Sequence, residues 1–219
     1  ATVLWNNDGR VQVWTSTQGS FVVRDTTACI LDLPVAQVKV TPMEIGGGFG
    51  GKIPVYLEPV AAVLSKKSGR PVKIVMTRKD VFEGSGPTPG SFIRVKLGAK
   101  RDGTLTALHY RSFGSAGIAG GAGTGGPAGT LYADNPNLLI EEHDVYTNAG
   151  PAAPLRAPGH PQGAFALESA LDELAEKLGL DPLELRRRNE SSPVRLIQYD
   201  VGAKAIGWER RNRVAGQTP

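Results

Sequence analysis

Residues 46 to 52 read Gly-Gly-Gly-Phe-Gly-Gly-Lys, five glycines among six residues and then a lysine. Each glycine inside a helix or strand costs roughly 0.5–1 kcal/mol against alanine, so the run excludes a regular element and separates the segments on either side of it. Before it, Val35 to Val40 reads as a strand. After it, residues 56 to 67 carry Leu57, Val60, Ala61 and Leu64 at helical spacing, and the helix ends near Gly69. Strand, glycine loop and helix in that order let backbone N–H groups approach an anionic ligand. Phe49, a large side chain amid glycines, reads as a ligand wall. A turn chosen only for tight packing is the alternative.

Two phosphate-binding patterns overlap here, and neither is complete. Gly46, Gly48 and Gly51 have the spacing of the dinucleotide fingerprint, but Arg70-Pro71-Val72-Lys73 stands where its acidic residue is needed. Gly46, Gly51 and Lys52 nearly form a P-loop, but Ile53 occupies the position of the magnesium-binding Ser or Thr.

Elsewhere, Val3-Leu4-Trp5, a turn at Asn6 to Gly9, and Val11 to Trp14 predict a hairpin. Ala28 to Leu33 is ambiguous between helix and strand. Val72 to Met76, Ser91 to Leu97 and Thr104 to Ser112 read as strands, the last two joined by a turn at Lys100 to Gly103. Gly114 to Gly129 holds eight glycines in 16 residues and predicts a long functional or mobile loop. Leu167, Leu171, Leu174 and Leu178 form one stripe of a helix from Pro161 that Gly179 stops, and Asp181-Pro182-Leu183-Glu184 caps a second helix through Arg188. Without regular βαβ alternation the class is α+β, mixed sheets with packed helices. One partial domain spans residues 1–219, with two lobes, 1–113 and 130–219, joined by the glycine-rich loop 114–129.

A single cysteine, Cys29, excludes a disulfide framework and points to a reducing compartment, the cytoplasm, with the periplasm as the other choice; Cys29 itself reads as a buried small hydrophobe. The net charge of +4 is scattered apart from Arg186 to Arg188 and Arg210-Arg211, so no nucleic-acid partner is expected. No apolar stretch approaches a membrane span. The first residue is not methionine and falls straight into strand pattern, which predicts a segment of something larger.

Gly46 to Lys52 resembles the molybdopterin loop of the xanthine dehydrogenase, aldehyde oxidase and carbon monoxide dehydrogenase family. Other motifs agree in order and spacing. Thr15-Ser16-Thr17-Gln18 is similar to the family's upstream Ser-Thr-Gln motif, residues 155 to 162 with Glu168 and Asp172 to its Arg-(Gly/Ala)-x-Gly-x-Pro-Gln segment, and Asp181 to Asn189 to its Asp-Pro-x-x-x-Arg-x-x-Asn signature. Gly202-Ala203 with Gly207-Trp208 looks like the family's next helix, so the resemblance covers almost the whole chain.

The resemblance implies a bacterial, multi-subunit molybdenum hydroxylase that takes oxygen from water. Its cofactor is a molybdopterin, in some members a cytosine dinucleotide, and its electrons leave through iron–sulfur and flavin (FAD) subunits or domains. Carried over, Gln18 would hydrogen-bond a molybdenum oxo ligand, Gly47, Gly48, Phe49 and Gly50 would line metal and pterin, and Arg156 would donate to cofactor or substrate. None of them ligates the metal directly. A loop amide for Gln18 and a surface ion pair for Arg156 are the alternatives. Ile53 and Pro158 would face the substrate. Ile53 replaces the Glu of the purine-oxidising branch, Pro158 replaces a frequent aromatic, and no arginine lies between Arg111 and Arg156, so an aldehyde, carbon monoxide or an N-heteroaromatic fits better than xanthine.

The family's general base is a glutamate in a late Gly-Glu motif. No Gly-Glu occurs here, so the resemblance places no catalytic residue in this chain. Base and remaining pocket would come from the rest of the large subunit, and the isolated chain is expected to be inactive and without bound cofactor. A phosphate- or nucleotide-binding module using Gly46 to Lys52 without redox chemistry, and a non-catalytic partner domain, are the competing functions.

Overall fold

The computed structural model describes residues 1–132 and 134–212, so residues 213–219 of the expected domain lie outside the described residues. The fold is α+β and falls into two compact units. The first comprises residues 1–90, 115–121 and 146–158; the second comprises 91–114, 122–145 and the chain from Gly159 onward.

In the first unit, β1 (Thr2–Trp5) and β2 (Val11–Thr15) form the expected antiparallel hairpin. β3 (Val38–Pro42) pairs parallel to β2, and β4 (Val72–Lys73) antiparallel to β1, giving the order β3-β2-β1-β4. Parallel neighbours need a long crossover. Here it contains a helix, α1 (Ser20–Ile30), where the sequence suggested a loop and then an ambiguous stretch. Val23, Thr27 and Ala28 bury one face of α1, whereas Cys29 is exposed, contrary to expectation. The phase of the helix turns Cys29 away from the sheet. A 3-10 turn over Val35–Gln37 delays the strand expected from Val35. α2 (Glu58–Ser68) ends as expected on Gly69, at φ +63. Val3, Val11, Val13, Ala28, Val38, Ala61 and Ala62 make the core between sheet and helices. Only two residues of the strand expected over 72–76 pair, and α3 (Arg78–Gly84) follows under a Thr77–Asp80 capping box.

In the second unit, β5 (Ser91–Ala99) pairs antiparallel with β6 (Leu105–Gly117), which is flanked on its other side by β7 (Leu138–Tyr146). α4 (Gly126–Leu131), α5 (His160–Leu178), α6 (Pro182–Arg188) and α7 (Pro193–Ile206) complete it. Leu108 and Tyr110 of β6 pack with Leu167, Leu171 and Ala175 of α5 and Leu185 of α6.

The Asp181 to Asn189 motif is architectural. Asp181 caps α6 by accepting from the Leu183 and Glu184 N–H groups. Arg186 reaches back to Glu168 and Asp172 at 2.7 Å each. Asn189 accepts from the Leu105 N–H at 2.8 Å and donates to the Gly103 and Leu185 carbonyls, pinning the β5–β6 turn to α6.

Half of the stretch expected as a glycine-rich loop over 114–129 is regular structure: 114–117 finish β6 and 126–129 open α4. Gly114 and Gly117 are required by backbone contact. A Cβ at Gly114 would collide with the Ala122 carbonyl, and one at Gly117 with the Gly150 carbonyl.

Candidate cofactor-binding site

The site is assembled within the first unit from three segments: the turn leaving β2 (Ser16 to Gly19), the glycine run, and the stretch around Pro154 to Arg156. Framework bonds set the first two. Buried Thr15 donates through Oγ1 to Glu58 Oε1 at 2.7 Å, and Glu58 Oε2 accepts the Tyr56 and Leu57 N–H groups, tying the end of β2 to the start of α2. The Thr17 hydroxyl donates to the Lys52 carbonyl at 3.2 Å, as does the Gln18 N–H at 3.0 Å.

Gln18 is held by its carbonyl end. Oε1 accepts the Gly50 N–H at 3.0 Å and the Lys52 N–H at 3.2 Å. Backbone N–H groups can only donate, so these bonds fix which end of the amide faces the loop and leave its NH2 as an oriented donor on the other side. Both bonds brace the glycine run, as a loop amide would, and the NH2 is the end of Gln18 left for a further contact.

The run is left-handed at Gly46 (φ +61), Gly47 (+104), Phe49 (+52) and Gly50 (+92). Gly51 N–H closes a turn onto the Gly48 carbonyl and Ile53 N–H onto that of Gly50. The N–H groups of Gly46, Gly47, Gly48 and Phe49 have no hydrogen-bond partner among the described residues. Four adjacent N–H groups without a partner among the described residues are donors available to an anion. Side chains are excluded where the cradle is tightest: a Cβ at Gly48 would strike the Gln18 carboxamide, and one at Gly50 would come within 2.8 Å of the Pro154 carbonyl oxygen.

Arg156 joins through its backbone, its N–H donating to the Phe49 carbonyl at 2.6 Å. Its exposed guanidinium has no hydrogen-bond or ion-pair partner among the described residues, which removes the surface ion-pair alternative there. Gln18, Gly47 to Gly50 and Arg156 are therefore brought together. Phe49 is 61% exposed and Ile53 39%, with Met43 and Leu155 also exposed, so apolar side chains flank the donors. Pro158 is exposed two residues beyond Arg156.

The nucleotide-binding alternatives lose their structural context. α2 starts at Glu58, seven positions after Gly51, so no helix N-terminus opens directly from the run. The Lys52 ammonium donates to Ser16 Oγ at 2.9 Å and to the Ile45 carbonyl, so it is engaged by the chain itself and is not extended as a P-loop lysine would be. That clasp, with the Ser16, Thr17 and Glu58 bonds, was not signalled by the sequence, although Thr15-Ser16-Thr17 sits in the motif that carries Gln18.

Volume does not mark this site. A concavity of about 610 Å3 lies in the second unit, lined by Lys96, Leu97, His109 and Leu138 among others, and includes none of these donors. Among the described residues no group of three or more His, Cys, Asp or Glu is arranged to hold a metal ion, and no helix is long and apolar enough to cross a membrane.

The chain matches a known family. The family model described as molybdopterin cofactor-binding domain covers residues 1–190. The chain is 36% identical to a probable xanthine dehydrogenase subunit of Bacillus subtilis (strain 168), over 90% of its own length and 26% of that protein. It is 33% identical to the aldehyde oxidoreductase molybdenum-binding subunit PaoC of Escherichia coli (strain K12), over 98% of its own length and 31% of that protein. Quinoline 2-oxidoreductase from Pseudomonas putida 86 superposes with a TM-score of 0.82 at 25% identity, covering 95% of this chain and 30% of that one. Carbon monoxide dehydrogenase from Oligotropha carboxidovorans shares the fold, with a TM-score of 0.81 at 23% identity over 95% of this chain and 29% of that one. The chain thus spans about a quarter to a third of the length of these curated relatives. With the family model matching from the first residue through the whole cradle to Asn189 and Glu190, this chain belongs to the molybdopterin cofactor-binding domain family.

Proposed function

We propose that the chain is the cofactor-holding part of a molybdenum hydroxylase that oxidises an aldehyde, carbon monoxide or a neutral N-heteroaromatic with water as the oxygen source. It would work with the rest of a large subunit and with iron–sulfur and FAD modules in the cytoplasm, its molybdopterin carried as the cytosine dinucleotide. The observation that carries the reading is that Gln18, bonded to the run through its carboxamide, and Arg156, bonded to the Phe49 carbonyl through its N–H, meet at a loop in which the N–H groups of Gly46 to Phe49 have no partner among the described residues and a Cβ at position 48 or 50 would collide with a neighbour.

The donor set fits the group. Its N–H groups suit phosphate and pterin oxygens, and the carboxamide of Gln18 is a neutral donor that would bond to such a group without ligating its metal. When bound, the cofactor supplies the two-electron oxidation. The residues of this chain bind and orient: the run accepts the anionic part, the NH2 of Gln18 directs a neutral hydrogen bond inward, and Arg156 supplies a cation at the rim. Ile53 and Phe49 would offer apolar surface on the substrate side, where a carboxylate at position 53 would instead reward a polar purine.

The full-length subunit with Gly48→Val tests this. The new side chain displaces the Gln18 carboxamide at a surface position, so the fold should survive. Molybdenum by elemental analysis and pterin by fluorescence after oxidation should fall at least tenfold together. Undiminished molybdenum in the folded variant would rule out this cradle.

A further inference from the structure

Lys52 follows the glycine run and holds both of its ends. Its ammonium donates to the carbonyl of Ile45, the residue that enters the run, and to Ser16 Oγ at 2.9 Å; its carbonyl accepts from Gln18 N–H and Thr17 Oγ1, and its N–H reaches Gln18 Oε1. One residue thereby joins the start of the run, its end, and the turn that carries Gln18.

The charge is a separate matter. Lys52 is half-buried, and among the described residues its Nζ has no carboxylate at ion-pair distance. Ser16 and Ile45 satisfy hydrogen bonds but not the positive charge, and a partly desolvated cation without a counter-ion is electrostatically incomplete. The N–H groups of Gly46 to Phe49 in the same run also present positive ends without an acceptor among the described residues. Both features put uncompensated positive charge at this one run.

We propose that Lys52 is a positioning residue for the anionic, phosphate-bearing part of the cofactor: its clasp sets the run so that the N–H groups of Gly46 to Phe49 converge, and its charge strengthens their hold. The inference rests on the reading of the run as the cofactor cradle. A unit charge about 7 Å from an anion in surroundings of intermediate dielectric changes binding by roughly tenfold or more. It also makes binding salt-dependent.

The test uses the 219-residue chain, nitrogen-15 labelled and titrated with inorganic phosphate, following the amides of residues 46–49. The wild type should shift at these amides. Lys52→Met should bind phosphate at least tenfold more weakly and lose most of the salt dependence, whereas Lys52→Arg should stay within about threefold of wild type. If Lys52→Met does not fold, Lys52→Gln takes its place, since the carboxamide keeps a donor for the Ile45 carbonyl and removes the charge; the same tenfold loss is expected. Wild-type binding at the loop with an equally tight Lys52→Met or Lys52→Gln would overturn the role of Lys52, as would a Lys52→Arg no better than Lys52→Met. A wild type whose loop amides do not respond at all would overturn the cradle itself, a separate failure.

Discussion

Among the described residues, Asp32, Phe49 and Ala157 hold a positive φ without being glycine, and two of the three flank the hydrogen bond from Arg156 N–H to the Phe49 carbonyl. An L side chain in that region carries about 1 kcal/mol of steric cost, so the fold holds Phe49 there against its preference. The glycines of the run differ among themselves, and this gives a graded prediction. Gly46 has φ +61 with open space around a Cβ, so Gly46→Ala should cost about 1 kcal/mol. Gly50 has φ +92 and faces the Pro154 carbonyl, a backbone atom that cannot swing aside, so Gly50→Ala should cost about 2–3 kcal/mol. Urea denaturation of the two variants checks the order; equal losses would show that backbone angle alone governs the run. The sequence made the run and its ligand legible as types. It could not reveal that position 46 is roomy and position 50 walled, because the wall comes from Pro154, far along the chain.

The elements legible in the sequence are those whose local signals agree: the hairpin with its turn, α2 closed by Gly69, α5 with its leucine stripe, and α6 with its cap. Those that escaped lack such agreement. α1 contains Phe21, Val22, Val23, Thr26 and Thr27, residues of modest helix propensity, and has no side-chain N-cap; burial of Val23, Thr27 and Ala28 makes it a helix. β7 alternates Leu139, Glu141, His143 and Val145 with Ile140, Glu142 and Asp144, so neither face reads as apolar. α3 also went unread, because its seven residues are too short for an apolar stripe to support the Thr77–Asp80 box that the helix uses. At this scale the Asp181 cap is testable. Burial pushes its carboxyl up, but the Leu183 N–H, the Trp208 indole, the Glu184 N–H and the Arg211 guanidinium outweigh that and hold it below its ordinary range. A carboxylate depressed in the folded state contributes stability that is complete above its unfolded value, about 3.9, and is lost as pH falls through the folded value. Asn is an equally good neutral cap, so Asp181→Asn isolates the charge. The group is partly exposed and solvent screens it, so the deficit near pH 7 should be only about 0.5–1 kcal/mol, closing below about pH 3. Thermal unfolding of both proteins across pH 2.5–7 tests this (approximate limits set by the same reference values); a deficit independent of pH would mean that Asp181 acts through shape alone.

For the whole molecule, family membership was legible because four separated motifs kept their order, yet their physical roles divide. The motif from Asp181 to Asn189 holds α5, α6 and the β5–β6 turn together, whereas Gln18, the glycine run and Arg156 leave donors without a partner among the described residues. The choice of substrate rests on the surroundings of that second group. Ile53 comes directly after the loop lysine with an apolar, 39% exposed side chain, and Phe49 adds a ring that is 61% exposed. A purine such as xanthine carries several donors and acceptors that lose water on entering a pocket, and each one left unpaired there costs about 1–3 kcal/mol. A site built to bond those groups discriminates by roughly 10⁴ or more against ligands lacking them; an apolar wall gives a polar purine no such reward and charges it the desolvation. The full enzyme should therefore show kcat/KM for an aromatic aldehyde or a neutral N-heteroaromatic at least about a hundredfold above that for xanthine, the difference expected from two unpaired polar groups of modest cost. Ile53→Glu, which adds a carboxylate at the rim, should narrow the ratio from both sides, lowering aldehyde turnover through a charge beside the apolar wall and raising that of xanthine. Steady-state assays of the holoenzyme with dye as electron acceptor decide the matter: xanthine as the better substrate of the unaltered enzyme, or a ratio that Ile53→Glu leaves untouched, would remove Ile53 from the substrate side of the site.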